Sequence, residues 1–330
     1  MINLVKLLLP LLSVAALGSC QNARTAKVQS TENAMTIPTF NADSAYAFVQ
    51  RQVDFGPRVP ATEPHTACAD YLAATLAQYG AQVEVQQGEM PLYSGDMKPL
   101  KNIIAHYNTA AKKRVLLCSH WDSRPFADQD ANPANRHTPI LGANDGASGV
   151  GVLLEIARQL QSTPAEIGVD IIFFDLEDWG APEFYDGPQS EHSWCLGSQF
   201  WAKEAKKASY RAEYGILLDM VGAPGAQFRR EIISDYHARG TVDKVWNTAQ
   251  SLGFGTTFLD ERGGGITDDH CYVNVVAGIP CIDIIQYNPF SATGFADYWH
   301  TLGDDMRNID RRTLYIIGQT LLQVIYSEKN

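Results

Sequence analysis

Apolar residues fall into two patterns that alternate along this chain. Four short, unbroken apolar runs, 114–119 (RVLLCS), 169–175 (VDIIFFD), 215–219 (GILLD) and 281–285 (CIDII), have the character of strands buried on both faces. Helical spacing of apolar positions marks 148–160, 198–207, 241–252 and 313–326. Two earlier helical segments carry Ala45, Phe48, Val49 and Val53, and then residues 67–79, with breaks at Gly56-Pro57 and Gly80. Residues 82–86 and 102–107 read as further strands. Strands alternating with helices predict a single α/β domain built on a twisted, mostly parallel mixed sheet with helices on both faces.

In such a sheet the ligand crevice lies beyond the carboxyl ends of the strands. Those ends carry Ser119-His120-Trp121-Asp122, Asp175-Leu176-Glu177-Asp178 and Asp219, and the loops add Asp145 in a Gly-rich segment, Asp268-Asp269-His270 and Trp299-His300. Each piece has a bland reading. His120 suits a satisfied core histidine, Asp145 a helix N-cap, Glu177-Asp178 a surface strand end, and Trp299-His300 ordinary packing. Carboxylates and imidazoles from six segments meeting at one crevice point instead to a borderline cation such as Zn²⁺. Such a cation takes three protein ligands at a catalytic site and keeps a position open for substrate. A carboxylate beside the ligands can then serve as general acid and base.

The order His120-x-Asp122, Asp145, Glu177-Asp178, Asp219, Asp269-His270, His300 resembles the zinc exopeptidases of the M28 type and, among them, the glutaminyl cyclases. Three features lean toward the cyclases: the doubled acid Asp268-Asp269 before His270, the F-x-x-x-W-H of Phe295 to His300, and the segment LDMVGAP at 218–224. The resemblance implies cyclisation of the N-terminal glutamine of peptides and proteins to pyroglutamate with release of ammonia. It implies one Zn²⁺ per chain held by Asp145, Asp178 and His300, with Glu177 shuttling the proton and Asp268 and Asp219 forming a carboxylate network around it. Phe295, Trp299 and Trp194 would wall the pocket. Animal cyclases write Glu-Glu where this chain has Glu177-Asp178, so the proposed ligand is one methylene shorter. His120 and Asp219 are also the residues a two-zinc aminopeptidase would use for a second metal, and that reading stays open beside the cyclase one. A third reading, a binding lipoprotein with a vestigial metal site, leaves Glu177 without a purpose.

The amino terminus bears on location. Lys6 precedes an apolar run over 7–17, too short to span a membrane, that ends in Leu17-Gly18-Ser19-Cys20. This resembles a bacterial lipoprotein signal over 1–20 with Cys20 as the lipidated residue, although an ordinary secretory signal fits as well. Residues 21–38 are polar and without periodicity, a tether to a catalytic domain over 39–330. The expectation is a lipid-anchored enzyme of the bacterial cell envelope facing the periplasm and acting as a monomer. A net charge of −11 argues against a nucleic-acid partner. Of the 6 cysteines, those after Cys20 are odd in number, so at least one should be unpaired or bridge to another chain. The acidic, aromatic segment 180–195 follows Glu177-Asp178 closely and reads as a lid at the crevice mouth, with a structural cover or a Ca²⁺-like acidic loop as alternatives.

Overall fold

The computed structural model describes residues 36–188 and 190–330. Cys20, the signal and nearly all of the tether lie outside the described residues. Residues from Ile37 to the end form one compact unit.

The four apolar runs become β3 (Arg114–His120), β4 (Gly168–Phe174), β5 (Gly215–Asp219) and β8 (Cys281–Ile285). All but one of their residues are buried, as expected where both sheet faces are covered. They pair in parallel, and β2 (Met97–Tyr107) and β1 (Gln82–Pro91) extend the sheet antiparallel on one side, giving the order β1-β2-β4-β3-β5-β8. β1 has no fully buried residue, as suits an edge strand. Both outer strands are longer than the apolar runs suggested, because their outward positions are polar and carry no apolar signal. A separate parallel pair, β6 (Phe228–Arg230) and β7 (Phe258–Arg262), was not foreseen: both are short and rich in charge.

Helices α1 (Ala42–Val53) and α2 (Glu63–Gln78) start at side-chain caps, Asn41 accepting from the Ser44 amide and Thr62 from the His65 amide. Helix α3 (Ala147–Ser162) is buried along most of its length and lies against one sheet face, touching α1 and α6 (Arg311–Ser327). Its approach depends on Gly149, where a Cβ would stand 2.4 Å from Ser119 Oγ and 2.5 Å from the Leu218 carbonyl. The opposite face, with Leu116, Cys118, Ile172 and Phe174, is covered by α4 (Leu196–Lys207) through Trp201, Ala202 and Ala205. Helix α5 (Ile232–Ser251) begins nine residues earlier than periodicity indicates and bends at Ala238. The Glu231 carboxylate caps it, accepting from the Ile233 and Ser234 amides, and that fixes the first turn ahead of the apolar spacing that begins at Thr241. The five cysteines of the domain are free thiols.

Candidate metal centre and active site

The parallel strands end at one edge, and the side chains that follow them converge there. Asp145, Glu177, Asp178, Trp194, Asp219, Asp268, Phe295, Trp299 and His300 all line a cavity of about 330 Å³. That is the low end of the range for small-ligand sites. His120 lies beneath it, with Nε2 3.0 Å from Asp145 Oδ1 and 3.2 Å from Asp219 Oδ1. Asp269 and His270 do not reach the cavity. His270 is buried behind it, 3.2 Å from Glu231 Oε2.

Local backbone conformation aims these groups. Gly146, at φ +91°, caps α3 with no side-chain bond, so Asp145 is released from the N-cap role and faces the cavity. Of seven non-glycine residues at positive φ among the described residues, Leu176, Cys195, Met220 and His300 adjoin or belong to this site. Such conformations cost of order 1–3 kcal/mol each, so their concentration here marks backbone held against its preference to place side chains. The turn at Leu176 presents Glu177 and Asp178 to the cavity. Their amides donate to the two oxygens of Asp122, each at 3.2 Å, and the Cys195 amide donates to the Glu177 carbonyl at 3.0 Å. The Cys195 thiol donates to Glu177 Oε1 at 3.2 Å.

Four groups of three among the described residues have the spacing of a cation site, and two of them join an imidazole to the Asp145 carboxylate: Asp145, Asp178 and His300, and His120, Asp145 and Asp219. In the first, His300 Nε2 is 3.1 Å from Asp178 Oδ1 and 3.6 Å from Asp145 Oδ2. Asp145 Oδ2 and both Asp178 oxygens are buried and have no hydrogen-bond partner among the described residues. Burial and the Asp145 carboxylate push Asp178 well above the usual carboxylate range, a repulsion that a cation between them relieves. Burial, reinforced by the Arg124 charge, lowers His300 to about 3, so its imidazole is neutral, the form that binds metal. These residues fit Zn²⁺ by donor type, by protonation and by their unmet bonding capacity. In the second triad burial opposes charge on His120, yet contacts with Asp122, Asp145 and Asp219 raise it well above the usual histidine range, so a proton ties these carboxylates together.

Burial shifts the remaining acids toward their neutral forms. Glu177 is raised well above its usual range by burial and then by the charges of Asp268 and Asp178, with His120 opposing. Burial pushes Asp219 up to about 7. Oxygens of Glu177 and Asp268 and the Cys195 sulfur lie within 4.8 Å of one another. Apolar walls surround this group: the His300 ring stacks on Trp299 at 3.6 Å between centroids and faces Trp194 at 6.0 Å, while Phe295 packs on Trp299 at 4.9 Å.

Sequence reading missed a supporting layer. Arg124, fully buried, forms a fork with Asp128 at 2.7 and 2.6 Å and donates to the Asp178 carbonyl at 3.0 Å. Asp128 lies 3.6 Å from His300 Nδ1 and accepts the Glu183 amide at 3.0 Å, tying the 180–195 segment to the site. Asp304 accepts the Asn144 and Asp145 amides at 2.8 and 3.0 Å, and Arg58 holds the Leu141 and Gly142 carbonyls. The spacing of Arg124 and Asp128 was a signal, but without the fold it is that of any surface i,i+4 pair.

A crevice of acids and imidazoles at the carboxyl edge of a parallel sheet, with aromatic walls, defines a metal-dependent α/β enzyme. Residues 102–325 match Peptidase family M28, and the chain belongs to that family. Tannerella forsythia glutaminyl cyclase is similar at 54% identity and a TM-score of 0.87, covering 88% of this chain and 100% of that one. A leucine aminopeptidase precursor from Bacteroides thetaiotaomicron is similar at 51% identity and a TM-score of 0.86, covering 89% and 100%. The Bos taurus glutaminyl-peptide cyclotransferase is 25% identical over 255 residues, 70% of this chain and 66% of that protein, so the match spans about two thirds of the bovine chain.

Proposed function

We propose that the protein is a zinc-dependent glutaminyl-peptide cyclotransferase, with one Zn²⁺ held by Asp145, Asp178 and His300. The observation that carries this reading is the separation of two sets of groups in one small cavity. A neutral imidazole and two carboxylates form the cation triad, while Glu177 stands beside Asp268, free to hold and pass a proton.

When bound, Zn²⁺ supplies Lewis-acid polarisation of the substrate's γ-carbonyl. The uncharged α-amine of the N-terminal glutamine lies on the same residue as that carbonyl, so the attack is intramolecular, and the cavity's task is to hold the folded conformer. As the amine nitrogen bonds to the carbon of the side-chain carboxamide, Glu177 takes a proton from it. The carbon–nitrogen bond of the carboxamide then breaks, Glu177 returns the proton to the departing nitrogen, and ammonia and the pyroglutamyl peptide result. Asp268 and Asp219, with His120, hold the surrounding charge so that Glu177 cycles between its two states. Water would divert the chemistry to hydrolysis, and Trp299, Phe295 and Trp194 wall it out.

The His120, Asp145 and Asp219 triad favours a second reading, a two-zinc aminopeptidase. Purified protein given Gln arylamides and Gln-initiated peptides should release ammonia and pyroglutamyl product, with slight or no cleavage of Leu arylamide. Robust Leu-arylamide hydrolysis without cyclisation would transfer the assignment to the peptidase.

The resemblance of residues 1–20 to a lipoprotein signal supports a periplasm-facing enzyme anchored through a lipid on Cys20, and we propose that it acts as a monomer. Cys20→Ala should then move the protein from membrane to soluble fraction, where light scattering should report a single chain. Membrane retention or a dimer mass would contradict the respective parts.

A further inference from the structure

A second hollow of about 510 Å³ opens beside the catalytic cavity and shares two of its walls, Ile266 and Phe295. One side is the segment of Gly264 and Gly265, and the other is the loop through Ala292. Tyr287 lies between them, and a third hollow, with Arg229 and Asn288 on its rim, continues past it. The groove is shaped by absent side chains. A Cβ on Gly264 would stand 2.8 Å from the Tyr287 ring, and one on Gly294 would stand 3.0 Å from it, so the ring fits between two glycines.

The segment 263–267 is irregular, and Gly265 is exposed. The Gly264 carbonyl is used by the Ile232 amide and the Ile266 amide by Glu231, so the segment is held from behind. The amides of Gly264 and Gly265 and the Gly265 carbonyl make no hydrogen bond among the described residues. An anchored stretch with free main-chain donors and an acceptor along a groove is what an extended peptide pairs with, independent of its side chains.

We infer that this groove binds the main chain of the residues that follow the N-terminal glutamine, with Gly264 and Gly265 as the pairing edge. The inference rests on the cyclase reading, because it takes the glutamine side chain to occupy the neighbouring cavity. A substrate whose first residue fills that cavity must leave past its rim, and the shared walls Ile266 and Phe295 put the groove there. Main-chain pairing also accounts for how an enzyme can accept peptides of varied sequence after the first residue.

The test compares kcat/KM for Gln arylamide, a Gln-Ala dipeptide amide and a Gln-Ala-Ala-Ala peptide amide. Efficiency should rise about five- to tenfold from the arylamide to the longest peptide, the worth of one net main-chain hydrogen bond. Gly265→Trp should erase most of that advantage, mainly through KM. A Cβ at 265 meets only Ile232 Cβ at 3.8 Å, an ordinary contact, and Ala292→Trp from the exposed opposite wall supplies a second obstruction if the first variant fails to fold. A flat dependence on length, or an equal fall on arylamide and peptide in the folded variants, would overturn the groove while leaving the cyclase reading intact. Absence of cyclisation from every substrate, arylamide included, would defeat the cyclase reading itself and the inference with it.

Discussion

Glu177→Gln should lower kcat by roughly 10²–10⁴-fold while zinc content and thermal stability stay near those of the parent protein. The substitution keeps the shape of the side chain and its acceptor for the Cys195 thiol, but it removes the exchangeable carboxyl proton. The Glu177 backbone is held independently, by Asp122 on its amide and Cys195 on its carbonyl, so the turn at Leu176 should survive. KM should change far less than kcat, because the interaction lost is one made in the transition state. Metal analysis of the variant is the deciding measurement. If Glu177→Gln sheds zinc while Asp178→Asn retains it, the two neighbouring acids have been given each other's roles.

Loss of metal is the second large effect expected. His300→Ala and Asp145→Ala should each leave the protein without stoichiometric zinc and with activity near background, and a chelator should do the same reversibly to the parent enzyme. The reason is the donor count, since a three-ligand site that loses one ligand keeps too little bonding to outcompete water. His300→Ala also removes the ring against which Trp299 and Trp194 stack, so the cavity wall should loosen as well. Asp219→Asn separates the one-metal and two-metal readings. It should keep one ion per chain while losing rate, because Asp219 belongs to the triad with His120 and Asp145 and supplies no ligand to the set of Asp145, Asp178 and His300. Two ions in the parent protein, one of them shed by Asp219→Asn, would establish the dinuclear alternative.

The sequence by itself determined that β3, β4, β5 and β8 are strands buried on both faces, since unbroken apolar runs of that length have no other economical home. It determined that the chemistry-bearing residues follow those runs, and the order of those residues pointed to the family. Both are properties of neighbours along the chain, and local periodicity records them directly.

Which groups touch was decided elsewhere. The start of α5 at Ile232 depends on the cap from Glu231, whose carboxylate also bonds the Ile266 amide and His270 from a distant segment. Trp194 reaches His300 across more than a hundred residues of chain, and Arg124 meets Asp178 only because β3 and β4 are neighbours in the sheet. Protonation belongs to the same level. Asp145 and Asp178 are the same residue type, yet one is held low by His120 and His300 against its burial and the other is driven up by burial and by Asp145 itself. Sequence names the ionisable groups. Distance and desolvation, which exist only once the sheet has brought six segments to one edge, decide which of them carry charge.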